Sequence, residues 1–270
     1  MTLVEVTTVP SLLDVIILGM VEGMTEFLPV SSTGHLILTS FLLKLQNTEF
    51  LKSFEVAIQL GAILAILLIY AKRLVQGWAI YQRLILAFLP TATIGFLAYK
   101  VIKKFLFSPL TVSIGLIVGG IILIVMDRWI EEQPSHYEPE TLPVRNALLI
   151  GLIQCVSMIP GVSRAAATII GGLSQGLNKR QATEFSFLLA IPTMLAATGY
   201  DLLKTAHAFN GDEITALAVG MVAAFVYALL AVKLFIGLLE KLSFKYFGYY
   251  RIVIGVIFLV LSLMFPIADI

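Results

Sequence analysis

Six stretches of the chain run for sixteen to nineteen residues without a charged side chain: 56–71, 84–99, 110–126, 185–200, 214–232 and 252–267. A bilayer core takes about 20 apolar residues as a helix. These stretches are slightly short, so flanking Lys, Arg, Tyr and Trp must reach to the interface. Lipid also demands that every backbone polar group be bonded internally, which leaves helices as the form such segments take. The fold class that follows is an all-α polytopic membrane protein with six transmembrane helices. Composition agrees: 59% of residues are hydrophobic and 13% charged, against about 45–50% and about 25% in soluble domains. Mean hydropathy is +0.97.

This pattern excludes several classes. A net charge of +1 argues against a nucleic-acid partner, and the one cysteine, Cys155, forms no intramolecular disulfide. The N-terminus lacks the basic region of a cleavable signal, and Asp14, Glu22 and Glu26 interrupt its apolar run. The chain reads as one integral membrane domain over 1–270. Its main extramembrane element is an acidic linker at 127–145, DRWIEEQPSHYEPETLPVR.

That linker divides the chain into internal repeats of about 1–131 and 132–270. Laying residue 19 onto residue 151 places GMVEGMTEFLPVSS over GLIQCVSMIPGVSR. Gly pairs with Gly, Glu22 with Gln154, Thr25 with Ser157, Val30 with Val162 and Ser31 with Ser163. Each half then has an interrupted segment (11–43 and 146–177) followed by three spans. Such Gly/Pro-interrupted segments at matching places point to a midplane site. If each folds as a re-entrant helix-turn-helix hairpin, three spans per half make the topology inverted, and the hairpins meet from opposite leaflets. One side then carries Lys72, Arg73, Arg83, Arg128, Arg145, Lys179, Arg180, Lys233, Lys241, Lys245 and Arg251. The other carries Lys44, Lys52, Lys100, Lys103, Lys104 and Lys204. The positive-inside rule places the first set in the cytoplasm and both termini outside.

The interrupted segments hold the reactive side chains. Glu22 and Glu26 are four apart and share a helix face, where two like charges need a compensating cation or proton. An interfacial helix with both carboxylates in water is the plainer alternative. After Pro29, Ser31, Ser32 and Thr33 open a second helix whose free N–H groups can hold an anion. Ser32 and His35 can share a face, the minimum for an activated hydroxyl. His35 could equally act as acid or nucleophile, and the serines could merely cap. In the second segment, Ser163 can cap, while Arg164 is a lone cation suited to a phosphate or to pairing with Glu22 or Glu26. Gln59, Gln154, Glu184 and Ser186 are candidates to line the cavity. His136 and His207 read as solvated, and Gly119–Gly120 and Gly171–Gly172 as close helix contacts. Carboxylates and hydroxyls on one hairpin with a guanidinium on the other point to phosphoryl chemistry.

EGMTEFLPVSSTGH, FEVAIQLGAI, PGVSRAAATI and EFSFLLAIPTML together resemble the bacitracin-resistance family of undecaprenyl-diphosphate phosphatases along nearly the whole chain. The resemblance implies an inverted-repeat membrane fold with two re-entrant hairpins. It implies hydrolysis of undecaprenyl diphosphate to the monophosphate and phosphate, with a site facing outward from the bacterial plasma membrane. By motif, Glu22 and Glu26 match the acidic pair that works with a divalent cation, Mg²⁺ or Ca²⁺. Ser31, Ser32, Thr33 and His35 match the serine–histidine segment, and Ser163 and Arg164 the phosphate-binding pair. The family commonly reads Ser-Arg-Ser where this chain has Ser163-Arg164-Ala165, so that hydroxyl is dispensable here, or replaced by Thr168, or the chain is altered or works less well. Its partners would be a polyprenyl diphosphate and membrane lipids, and a homodimer is compatible with it. Phosphatidic-acid-type phosphatases are excluded, because their His six residues after the Arg is Ile170 here. The alternative of another class is a lipid-phosphate flippase or secondary transporter on an inverted-repeat scaffold.

Overall fold

The computed structural model describes residues 9–46, 48–105, 108–130, 136–204, 209–239 and 241–265. In chain order the helices are α1 (Leu12–Thr25), α2 (Ser32–Leu42), α3 (Glu49–Ile69), α4 (Ala71–Gln76), α5 (Trp78–Phe105) and α6 (Pro109–Ile130). The second half has α7 (Val144–Gln154), a short 3₁₀ turn (Cys155–Met158), α8 (Arg164–Ser174), α9 (Lys179–Lys204), α10 (Gly211–Leu238) and α11 (Phe244–Met264). Among the described residues there is no strand, and six helices are long and apolar enough to cross a membrane: α3, α5, α6, α9, α10 and α11. Leu64, Leu68, Ile85, Leu89, Val222 and Leu230 on these helices face outward, as lipid contact requires.

Local chemistry sets the helix ends. Ser11 and Asp14 form a reciprocal capping box before α1, and Asn210 and Glu213 do the same before α10. Thr48 accepts the Leu51 N–H at the start of α3. Asp127 caps α11 from a distance, its Oδ1 accepting the Phe244 N–H at 2.7 Å. That differs from the expected linker at 127–145. Asp127 belongs to α6 and is buried, and Arg145 already lies in α7.

All six spans lie where expected, but α3, α5, α9 and α11 begin six to eight residues before the apolar stretches do. The first two turns of α3, α5 and α9 carry charges with partners. Lys52 pairs with Glu49, Glu55 accepts from Ser40, Arg83 donates to the Leu142 carbonyl and Glu184 pairs with Arg73. Arg251, expected at the interface, is fully buried. The stretch 252–267 reaches beyond residue 265, and His207 lies outside the described residues.

The four helices flanking the interruptions are short. α1 has 14 residues, and α2, α7 and α8 have 11 each. At about 1.5 Å per residue none alone bridges a hydrocarbon core of about 30 Å. They pair as α1 with α2 and α7 with α8. The long helices then exchange partners between halves. α10 packs on α1 and α3, α5 packs on α7 and α9, while α3 meets α9 and α6 meets α11. Glycines permit the closest approaches. A Cβ at Gly19 or Gly23 would strike the α10 backbone, and one at Gly151 would strike the Ala87 carbonyl of α5. Gly120 and Gly172 serve similarly against Gly248 and Ala182.

Candidate active site

The turns between the paired short helices bring the site together. Ser31 has φ 72° and Ser163 has φ 75°, two of the three non-glycine positive values among the described residues. L-residues take this backbone rarely and at a cost. It lets the chain double back so that Ser32 and Arg164 begin the next helices facing the molecule's interior. Ser163 also caps, its Oγ accepting the Ala166 N–H at 3.2 Å, whereas the Ser31 side chain makes no cap hydrogen bond.

Glu26 lies at the centre. Its Oε1 accepts from Arg164 Nη2 at 3.0 Å, and its Oε2 accepts from the Ser32 hydroxyl. One carboxylate therefore joins the first hairpin's nucleophile candidate to the second hairpin's cation. Both partners are nearly buried: Glu26 is 8% and the Arg164 side chain 12% exposed. Arg164 is aimed by its other contacts. Nη1 donates to the Ser186 carbonyl at 3.0 Å, Nη2 approaches the Met194 sulfur at 3.6 Å, and the guanidinium lies 5.6 Å from the Phe27 ring centroid. Its Nε is buried and has no partner among the described residues.

Glu22, one turn before Glu26, is fully buried. No donor group among the described residues bonds either of its carboxyl oxygens, while the Glu26 carboxyl lies within hydrogen-bonding reach of it. Burial is the largest influence on its charge, and Glu26, Glu55 and Arg164 are the charged neighbours that act on it. A buried bare carboxylate is costly. Orphaned oxygens beside a second carboxylate suit a hard divalent cation, which takes oxygen donors and keeps water or phosphate in its remaining positions. No group of three or more His, Cys, Asp or Glu that could hold a metal exists among the described residues. Glu22 and Glu26 are the residues that could contribute oxygen donors to such a site.

His35 is one step removed. Its Nδ1 lies 2.7 Å from the Ser31 carbonyl and its Nε2 2.8 Å from the Tyr250 hydroxyl. The carbonyl can only accept, so Nδ1 carries the proton and Nε2 of the neutral ring accepts from Tyr250. The hydrogen bond of Ser32 goes to Glu26, not to His35. Thr33 is half-buried on α2, and Gln59 half-buried on α3.

The other sequence candidates divide by location. Thr168 and Ser186 are buried beneath Arg164, their hydroxyls 2.5 Å apart, and Thr168 also bonds the Arg164 and Ala165 carbonyls. Gln154 is buried between α5 and α9, donating to Thr91 at 2.6 Å and facing Thr193. Glu184 joins Arg73, which also holds Glu140 at 2.6 Å. Burial works against the Arg73 charge, but Glu184 and Glu140 outweigh it and hold the guanidinium above its usual value. His136 is exposed and hydrogen-bonds through its backbone N–H to Gly176. It borders a cavity of about 430 Å³ lined by Asn146, Gln175 and Asn178, well apart from Glu26 in its lining residues.

Three residues near the site were not among the sequence candidates. Glu55 accepts from Ser40 at 2.8 Å and faces Glu22; Tyr250 holds His35; Arg251 donates to the Pro29, Gly115, Gly161 and Val162 carbonyls.

A family model described as bacitracin resistance protein BacA matches residues 15–257. Among curated relatives, the undecaprenyl-diphosphatase of Aquifex aeolicus is 51% identical over 244 residues, covering 90% of this chain and 95% of its own length. That of Persephonella marina is 53% identical over 254 residues, covering 93% and 99%. That of Wolinella succinogenes is 50% identical over 246 residues, covering 90% and 95%.

Proposed function

The chain belongs to the bacitracin resistance protein BacA family, and from that premise we propose that it hydrolyses undecaprenyl diphosphate to undecaprenyl phosphate and inorganic phosphate. The observation that carries the reading is the Ser32–Glu26–Arg164 chain, in which one carboxylate holds a hydroxyl and a guanidinium together.

Arg164 offers to a diphosphate oxygen its Nε, which has no partner among the described residues, and first-turn N–H groups of α2 and α8 other than that of Ala166 add donors. Glu26 takes the Ser32 proton as Oγ attacks the terminal phosphorus. The bond from that phosphorus to the bridging oxygen breaks, its electrons stay with undecaprenyl phosphate, and the proton follows to that oxygen. A water activated by Glu26 then cleaves the Ser32 phosphoester, freeing phosphate and restoring the hydroxyl. Glu22 and Glu26 would hold the divalent cation, Mg²⁺ or Ca²⁺, which neutralises charge building on the phosphate oxygens. Thr168 and Ser186 support Arg164 from below, and the tail lies along the apolar outer faces of the spans.

The halves are inverted repeats over about 1–131 and 132–270, each with a re-entrant hairpin. Support comes from the 132-residue register, which matches Ser31 with Ser163 in backbone and Gly19 with Gly151 in close packing. The exchange of packing partners between halves supports it further. The site faces outward from the plasma membrane with both termini outside. With Arg251 withdrawn from the cytoplasmic set, the basic bias keeps its direction.

Phosphate release by the purified protein in detergent tests the function. Undecaprenyl diphosphate should yield phosphate, Ser32→Ala should lower kcat/KM by about 10²-fold or more, and chelation should stop turnover until Mg²⁺ or Ca²⁺ returns. A wild-type protein that binds the lipid diphosphate and releases no phosphate would favour a transporter and sink the hydrolase.

A further inference from the structure

The turns preceding Ser32 and Arg164 leave backbone carbonyls without helical partners, and buried carbonyls must find donors. Arg251 of α11 supplies them. Its Nη1 donates to the Pro29 carbonyl at 3.2 Å. Its Nη2 lies 2.8 Å from the Gly161 and Val162 carbonyls and 3.1 Å from that of Gly115. Nη2 has two hydrogens for these three acceptors, so at least one is shared. The side chain is fully buried, and its hydrogen-bond partners are carbonyl oxygens rather than a carboxylate.

The seat is kept open by glycine. A Cβ at Gly119 would collide with Arg251 Nη2. Gly161 has φ +90°, which L side chains rarely adopt, and a Cβ there would strike the Val112 carbonyl. Pro29 precedes Ser32 by three residues, and Val162 precedes Arg164 by two. The guanidinium therefore touches both turns immediately before the two residues that Glu26 joins.

We propose that Arg251 is a positioning residue that fastens one hairpin turn to the other and so fixes Ser32 against Arg164. This rests on the reading of those two as the reacting pair. A planar fork of five donors bonds both turns at once, whereas the single ammonium of a lysine cannot span them. Misplacing reacting groups by about 1 Å costs about a hundredfold in rate.

The test uses the full chain in detergent with undecaprenyl diphosphate. Arg251→Lys keeps the charge and removes the fork; Gly119→Ala keeps the guanidinium and pushes it from its seat. For each, kcat and KM for phosphate release are measured beside the thermal midpoint. A trifluoromethyl tag on Val162→Cys, in a Cys155→Ser background, reports the turn by fluorine resonance. Both substitutions should lower kcat about tenfold to a hundredfold in folded protein, and split or broaden the single fluorine signal. Wild-type kcat, or lost kcat with an unchanged single signal, would overturn the proposal. If Arg251→Lys does not fold, Gly119→Ala decides by the same readouts. Aggregation of both assigns Arg251 to folding alone and overturns the positioning role. A wild type without phosphate release defeats the hydrolase reading, while the fluorine signal still judges the clamp.

Discussion

Glu26 has two oxygens and two demanding partners, and that division explains the neighbouring side chains. Arg164 and Ser32 occupy it, and among the described residues no donor bonds the Glu22 oxygens and no acceptor meets Arg164 Nε. One orphan suits a cation and the other a phosphate oxygen. His35 is held by Tyr250 and the Ser31 carbonyl, away from the Ser32 hydrogen bond. Tyr250→Phe should therefore lower kcat by about tenfold at most, short of the roughly 10²–10⁴-fold that a direct proton-transfer group contributes, with KM little changed in steady-state phosphate release. A loss as deep as that of Ser32→Ala would give the His35–Tyr250 pair a direct role. At this scale the sequence singles out Glu22, Glu26, Ser32 and Arg164 as candidates, because charge and hydroxyls beside helix breaks in an apolar chain have few structural uses. It concealed Glu55, Tyr250 and Arg251. Glu55 and Arg251 each border an uncharged stretch, where a charge reads as the end of a span, and a tyrosine in an apolar helix looks like packing. The hydroxyl pairing of Ser32 with Glu26 was also hidden, since three-residue spacing on α2 favoured His35 and the turn geometry could not be read.

Among the elements, the short helices are positioned by glycine contacts rather than by length. Gly151 of α7 rests on the Ala87 carbonyl, whereas Gly199 of α9 has nothing within 4 Å of an added Cβ. Gly151→Val should destabilise by about 1–3 kcal/mol through overpacking, and Gly199→Ala should be neutral or stabilising by up to about 1 kcal/mol. Thermal unfolding in detergent separates the two; equal effects would deny the close α5–α7 contact a structural role. The six spans were legible from hydropathy alone. Their starts were not, because charges such as Lys52, Arg83 and Glu184 find partners within their first two turns and do not end a helix. The register of residue 19 on residue 151 anticipated the matching turns at Ser31 and Ser163, though not their positive φ. Positive φ belongs to the turn's closure, which no residue identity at those serines announces.

Across the whole molecule, the residues of the proposed site come from both halves of the chain. The first contributes Glu22, Glu26 and Ser32, the second Arg164 and the carbonyl that aims it, and α11 touches the turns of both. The exchange of α5 and α10 between halves keeps these pieces in register, while α9 touches Arg164 directly through Ser186 and Met194. Removing one partner of a buried ion pair is costly, about 3–5 kcal/mol, and groups acting as one unit are not additive. The most direct measurement is a double-mutant cycle of kcat/KM for phosphate release with Glu26→Gln, Arg164→Ala and the double substitution. Each single change should lose about 10²-fold or more, and the double should lose little beyond the worse single. Losses that multiply in full, or an Arg164→Ala protein as active as wild type, would contradict a single site shared by the two halves.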